Sequence, residues 1–330
     1  MNKLEQARDI VLNYDYPEDV LAKCTKNISE YDLIFDGVCQ VTMISITPEK
    51  LAKSLLHYID ITSRRIEEAK IPLGSSKFYG VPHLPKGVEW PKGHYFYAQL
   101  NFSELKDYDV EDLLPDSGIL YLFFDPNSFT CKAIHFNGSV EELVVKDYPN
   151  AINEELDKYY LDEYKTPEVI KYRNQFGFYH FNESETLPEL LEPVTEEIAK
   201  VTDLAVNIGG GRSLSKIFGC ACYYQGEDEY HISFDEDELE EYFDEFEEEL
   251  NDIDYSEYDA HEHILLLDNE FGEGNIHFWV PKEDLKQRNF DNMKITYSGL
   301  NFFDSYHILP STIDFVLGFL FCTLGRATIY

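Results

Sequence analysis

The sequence predicts an α+β protein made of two related β-units, with helices at the N-terminus and inserted between the units. Three observations carry that expectation. The chain has 330 residues, 44% hydrophobic and 15% aromatic, enough to bury a sizeable core without disulfide staples. Its apolar runs are short and bounded by turn residues, the pattern of strands rather than long helices. An ordered set of segments also occurs twice. The 27 Lys and Arg against 63 Asp and Glu give a net charge of −36. That balance disfavours nucleic acid and anionic membrane as direct ligands, since both need clustered cations. The apolar content excludes a wholly disordered acidic chain.

Residues 1–70 read as a helical segment packed on the body, which is residues 71–330. Thr47 is a candidate N-cap with Pro48 in the first turn. Leu51, Leu55, Ile59 and Ile66 then recur at about helical spacing, so a helix is expected to run until shortly before Pro72. Gly37 to Ile46, with Val38, Val41, Met43, Ile44 and Ile46, could be a strand or another buried segment. Four prolines and three glycines between Ile71 and Pro91 forbid helix and predict short extended pieces joined by turns. Tyr95–Phe102 and Gly118–Phe124 read as strands buried on both faces. Ala151–Tyr164 and Pro188–Asp203 read as helices, the second followed by a glycine-rich loop at 207–211. The apolar run from Ile308 to Leu324 contains Pro310 and Asp314 and is too short for a membrane span. The N-terminus has no apolar h-region, and the six cysteines form no disulfide framework. A cytoplasmic protein with reduced thiols is expected.

The repeat begins with Ser76-Lys77-Phe78-Tyr79-Gly80, matched by Ser215-Lys216-Ile217-Phe218-Gly219. A buried strand follows in each, YFYAQL from Tyr95 and HILLLD from His263. A glycine then opens a second strand, GILYLFF at Gly118 and GNIHFWV at Gly274. Three matches in the same order favour duplication, with repeats at about 71–146 and 207–297.

Ser76-Lys77, Gly80, Pro82, Leu84-Pro85, Trp90-Pro91, Ala98-Gln99-Leu100-Asn101-Phe102, Leu114-Pro115, Gly118-Ile119-Leu120 and Phe123-Phe124 together resemble the YwqG-like bacterial family, a domain of unknown function. The second half agrees through Ser215-Lys216, Gly219, Ile264 to Asp268, Gly274 to Val280 and Asp284-Leu285. Tyr79 stands where the family usually has a glycine, and its Trp-Gly-Asp-x-Gly stretch is here Phe271-Gly272-Glu273-Gly274. The resemblance implies a duplicated α+β fold and supplies no catalytic residues.

Asp235–Asp259 holds fifteen acids in twenty-five positions. Leu239, Tyr242, Phe243, Phe246, Leu250 and Ile253 fall on one stripe of a helix. Glu240, Glu241, Asp244, Glu245, Glu247 and Glu248 then lie on the solvated side. Such a face serves solubility, or it docks a basic partner by raising the encounter rate.

No catalytic set is recognisable. His261 and His263 share a strand face, as do Cys220 and Cys222, but the Cys spacing is not that of a structural zinc site. They are read as surface histidines and core cysteines, and neither metal nor cofactor is predicted. Gly209-Gly210-Gly211 with Lys216 fails the phosphate-loop pattern. Two functions compete. The first is a non-enzymatic, acidic protein-binding module of the immunity or antidote type, with a basic, toxin-like protein as partner. The second is a small-ligand binder or enzyme at the seam between the β-units, where Lys77, His83, Gln99, Lys216 and His277 are the candidate polar groups. The sequence does not specify an oligomeric state.

Overall fold

A computed structural model describes residues 2–18, 29–31, 41–43, 47–125, 130–150, 152, 164–178, 187–208, 215–219, 221, 263–271 and 274–299. Helix α1 (Lys3–Asn13) opens on a capping box. The Asn2 side chain accepts from the Glu5 amide at 2.8 Å, and Glu5 accepts from the Asn2 amide at 2.9 Å. Leu4, Ala7 and Val11 form its buried stripe. Strands β1 (Ser29–Tyr31) and β2 (Val41–Met43) pair only with each other among the described residues. The sequence reading left a strand open at β2.

Helix α2 (Pro48–Ser54) starts where Thr47 and Pro48 predict, but it stops after two turns. The chain continues as strand β3 (Leu55–Arg65). The helical expectation past residue 54 is therefore corrected. His57, Ile59 and Ile61 alternate with Tyr58 and Asp60, a period of two that the wider helical spacing of Leu51, Leu55 and Ile59 concealed. Full-length pairing with a distant strand decides in favour of β.

A 3-10 turn at Glu68–Lys70 leads into β4 (Lys77–Phe78) and β5 (His83–Pro85). Strands β6 (Tyr95–Asn101), β7 (Ile119–Asp125) and β8 (Thr130–Phe136) form a meander, with the short helix α3 (Phe102–Leu105) between the first two. Strand β9 (Leu143–Val145) pairs with β5. Strand β10 (Glu168–Phe178), helix α4 (Leu187–Thr202), β11 (Ala205–Asn207) and β12 (Lys216–Phe218) follow. A second meander has β13 (His263–Phe271), β14 (Gly274–Pro281), helix α5 (Lys282–Lys286) and β15 (Lys294–Gly299). The predicted helix at 151–164 lies almost wholly outside the described residues, as does the acidic stretch Asp235–Asp259.

Eleven strands form one sheet, in the order β15-β14-β13-β12-β3-β10-β4-β6-β7-β8, with β11 alongside β10. All neighbours are antiparallel except β10 and β11. The long strands cross over. β4 pairs with β10, while β12 pairs with β3. The sheet curls until its edges come near each other, and Cys131 on β8 donates to the Met293 carbonyl beside β15 at 3.2 Å. The fold is thus a sheet-rich α+β structure with few helices and a nearly closed antiparallel sheet.

The main core fills the concave side and joins the two meanders. Tyr97 meets Phe278 at a ring separation of 5.1 Å, and Phe124 meets Phe271 at 5.2 Å. Helices α1, α2 and α4 bury a second core against Leu55, Phe176 and Phe178. A third core of Leu84, Trp90, Phe96, Tyr121 and Leu143 covers the outer face of β6 and β7.

The residues two and three positions after Lys77 and after Lys216 take the same left-handed backbone. Tyr79 and Gly80 have φ of 58° and 67°, and Phe218 and Gly219 have 64° and 72°. At Gly80 a Cβ would stand 2.6 Å from Glu68 Oε2 and 2.7 Å from Pro167 Cβ. Gly80→Ala is therefore expected to destabilise by roughly 2–4 kcal/mol, from backbone strain plus the displaced carboxylate. Thermal unfolding of the variant checks this, and an unchanged melting temperature would contradict it.

Candidate functional site

Paired residues on neighbouring strands share a face. Lys77, Gln99 and Tyr121 are register partners across β4, β6 and β7, so all three point outward. Phe78, Ala98 and Leu122, one step along, point into the main core. The 3-10 turn at Glu68 and strand β5 fold over this outer face. They bring Glu68 and His83 onto it.

The resulting network is closed. The Lys77 ammonium, 0% exposed, donates to Glu68 Oε1 and to the Val81 carbonyl. It also lies 5.9 Å from the Phe96 ring centre. Glu68 accepts from the Val81 amide at 3.2 Å and from His83 Nε2 at 3.1 Å. His83 Nδ1 accepts from the Gly74 amide at 2.9 Å, which assigns the proton of the neutral ring to Nε2. Gln99 accepts from the His83 amide at 2.9 Å and donates to the Ser75 carbonyl at 2.7 Å. The Tyr121 hydroxyl donates to the His83 carbonyl at 2.5 Å. Burial pulls the Lys77 ammonium below its ordinary value, against the pull of Glu68. Burial alone would raise Glu68, but hydrogen bonds from His83 and Lys77 outweigh it and hold the carboxyl below its ordinary range.

The second cluster lies on β12, β13 and β14. Lys216, Asp268 and His277 are register partners. Lys216 Nζ is 3.5 Å from Asp268 Oδ2, and His277 Nδ1 is 3.3 Å from Asp268 Oδ1. Asn275 donates to Asp268 Oδ1 at 2.7 Å. Lys216 is 1% exposed, while Asp268 and His277 are 0% exposed. The row continues through Asp60 on β3 to Arg173 on β10, where the guanidinium reaches Asp60 Oδ2 at 2.7 Å. One face of five strands therefore carries Arg, Asp, Lys, Asp and His in line. The buried Lys216 ammonium and Asp268 carboxylate thus offset each other, where burial would penalise either alone.

The structure divides the five seam candidates between these two clusters. Lys77, His83 and Gln99 share one, and Lys216 and His277 share the other. Strands β4 and β12 are separated by β10 and β3, three strand spacings or about 14 Å. His263 opens β13 and is half-buried; His261, Cys220, Cys222 and the acidic residues Glu240, Glu241, Asp244, Glu245, Glu247 and Glu248 lie outside the described residues. Among the described residues no group of three or more His, Cys, Asp or Glu is placed to hold a metal ion. Among them, too, no helix is long and apolar enough to cross a membrane.

Sequence reasoning missed Glu68, the partner of Lys77 and His83, and also Asp60 and Asn275, the partners of Arg173 and Asp268. Nothing local marks Glu68, one of two adjacent glutamates before an alanine. Asp268 was visible as the polar end of HILLLD. Its pairing with Lys216 follows only from strand register.

A family model described as "Domain of unknown function (DUF1963)" matches residues 76–298. The chain belongs to this family. The matched stretch of DUF1963 starts one residue before Lys77 and ends within β15, so it includes Lys77, His83, Gln99, Lys216, Asp268, His277 and both meanders, while Glu68 and Asp60 precede it. Helix α1, helix α2 and strand β3 precede it. No curated protein matches the chain.

Proposed function

We propose that this DUF1963 chain is a non-enzymatic, acidic protein-binding module of the immunity or antidote type, whose partner is a basic, toxin-like protein. The observation that carries this reading is the excess of 63 acidic over 27 basic side chains, a net −36. A field of that sign speeds encounter with an oppositely charged surface and repels nucleic acid. The closed state of the Lys77 network supports it. Lys77, His83 and Gln99 spend their hydrogen bonds on the chain's own Glu68, Ser75, Gly74 and Val81. They act as internal fasteners for the flap at residues 66–85. A small-ligand site there would first have to break them.

The two β-units are further read as duplicates, and the YwqG-like label goes with that reading. Its support is positional. Lys77–Gln99–Tyr121 and Lys216–Asp268–His277 occupy matching registers. Each meander has its register shift two residues before the polar partner, between Phe96 and Ala98 and between Leu265 and Leu267. The Ile170 amide donates to the Ser76 carbonyl, as the Ile61 amide does to the Ser215 carbonyl.

The test is whether a basic, toxin-like protein is encoded beside this chain and, titrated against the purified chain in low and in physiological salt, binds it. Affinity is expected to fall at least about tenfold as salt rises from about 0.05 to about 0.3 M. It is expected to fall again when Glu240, Glu241, Asp244, Glu245, Glu247 and Glu248 are changed to their amides. No binding in low salt, or an affinity indifferent to both changes, would refute the reading.

A further inference from the structure

A group of acceptors over the start of β3, on the core-facing side that His57 shares with Ile59 and Ile61, belongs to neither lysine cluster. Residues 106–116, KDYDVEDLLPD, carry five carboxylates in eleven positions. The segment follows α3, and its Val110 packs against the helical core. Beneath it lies His57 on β3, whose side chain is 0% exposed. His57 Nε2 is 3.1 Å from Asn174 Oδ1, which assigns the ring proton to Nε2 and leaves a lone pair on Nδ1. Phe176 and Phe218 flank the ring, with centroids at 6.1 and 6.5 Å.

Nδ1 has no hydrogen-bond partner and faces Glu111 Oε1 across 3.7 Å, beyond hydrogen-bond reach. Asp109 Oδ2 accepts from the Leu114 amide at 2.6 Å, which fixes the carboxylate, while the buried Oδ1 accepts nothing. Lys106, the cation of the same segment, is engaged with Asp116 at 2.6 Å. Acceptors therefore gather around one buried imidazole, and no donor among the described residues serves His57 Nδ1 or Asp109 Oδ1. The Glu111 side chain is 30% exposed and gives the way in.

We propose that His57, Asp109 and Glu111 form a binding site for a hydrogen-bond-donating organic cation, the ammonium or guanidinium of a lysine or arginine side chain on a basic protein partner. This rests on the reading of the chain as an acidic protein-binding module. A donor cation would serve an orphaned acceptor of this group and offset its two carboxylates near a low-dielectric wall. Burial pushes the Asp109 carboxyl up, against the backbone amides of Leu114, Leu113 and Glu111 and the nearby His57.

The probes are methylammonium, methylguanidinium and tetramethylammonium chlorides, the last of which has no hydrogen to donate. Binding is read from the imidazole NMR signals of His57. A saturable shift is expected with at least one of the first two and not with the third, and the two donor arms distinguish lysine from arginine. In the isosteric D109N/E111Q variant, and in E111Q alone, that affinity is expected to drop at least about tenfold with an unchanged melting temperature. Equal, unsaturable shifts with all three salts, or unaltered affinity in both variants, would mean that only an ordered water or ionic strength acts there, and would overturn the proposal. A basic protein that binds wild type and D109N/E111Q alike would defeat this site and leave the module reading intact. Saturable methylguanidinium binding without any protein partner would do the reverse.

Discussion

Replacing Glu68 by alanine is expected to destabilise the protein by roughly 3–5 kcal/mol, the cost of leaving a buried charge without its partner. Lys77 is 0% exposed and Glu68 25% exposed. The two losses are therefore unequal. Without Glu68, the ammonium keeps only the Val81 carbonyl and cannot reach water. Without Lys77, the carboxylate keeps His83 Nε2, the Val81 amide and some solvent. Lys77→Met is accordingly expected to cost less than about 2 kcal/mol. Denaturant unfolding of both variants measures the difference. Equal costs would show that the ammonium escapes to solvent when its partner is gone.

The same pair sets an acid sensitivity. The Glu68 carboxyl is held below its ordinary value of 4.5 in the folded state. A depressed carboxylate contributes stability that is complete above its unfolded value and is lost as pH falls through the folded one. Wild type should thus lose stability below about pH 4.5 more steeply than the Glu68→Gln variant.

Asp268→Asn is the second large effect, also roughly 3–5 kcal/mol. Asp268 is the carboxylate nearest the Lys216 ammonium, and it also holds Asn275 at 2.7 Å. Gln99, in the matching register of the other meander, is neutral and has a different task. Gln99→Ala should cost only about 1–3 kcal/mol, from the unmet His83 amide and Ser75 carbonyl. The contrast tests the charge logic independently of burial, because both residues are 0% exposed. Comparable losses at the two positions would show that Lys216 is neutralised by something other than Asp268.

The matched segments were legible because Ser-Lys-x-x-Gly is a local pattern with a local cause. The lysine opens a short strand, and the last two residues of the pattern take left-handed backbone in both places. Aligning Gly118 with Gly274 also pairs Tyr121 with His277 correctly. Aligning YFYAQL with HILLLD does not. It sets Leu100 against Asp268, one residue off the register that pairs Gln99 and Asp268 with their lysines. Helix α2 was foreseen in its start and not in its end, because β3 is stabilised by β10, more than a hundred residues away.

By itself, the sequence determined the net charge, the buried character of β6, β7, β13 and β14, and the turn chemistry around each lysine. These depend on composition and on neighbours a few positions apart. Only the tertiary structure decided that β4 lies against β10 and β12 against β3, and that Glu68 answers Lys77 while Asp268 answers Lys216. Counter-ions are chosen by distance in space, and a carboxylate nine residues away and one fifty-two residues away look alike until a folded-over turn places the first and strand register the second.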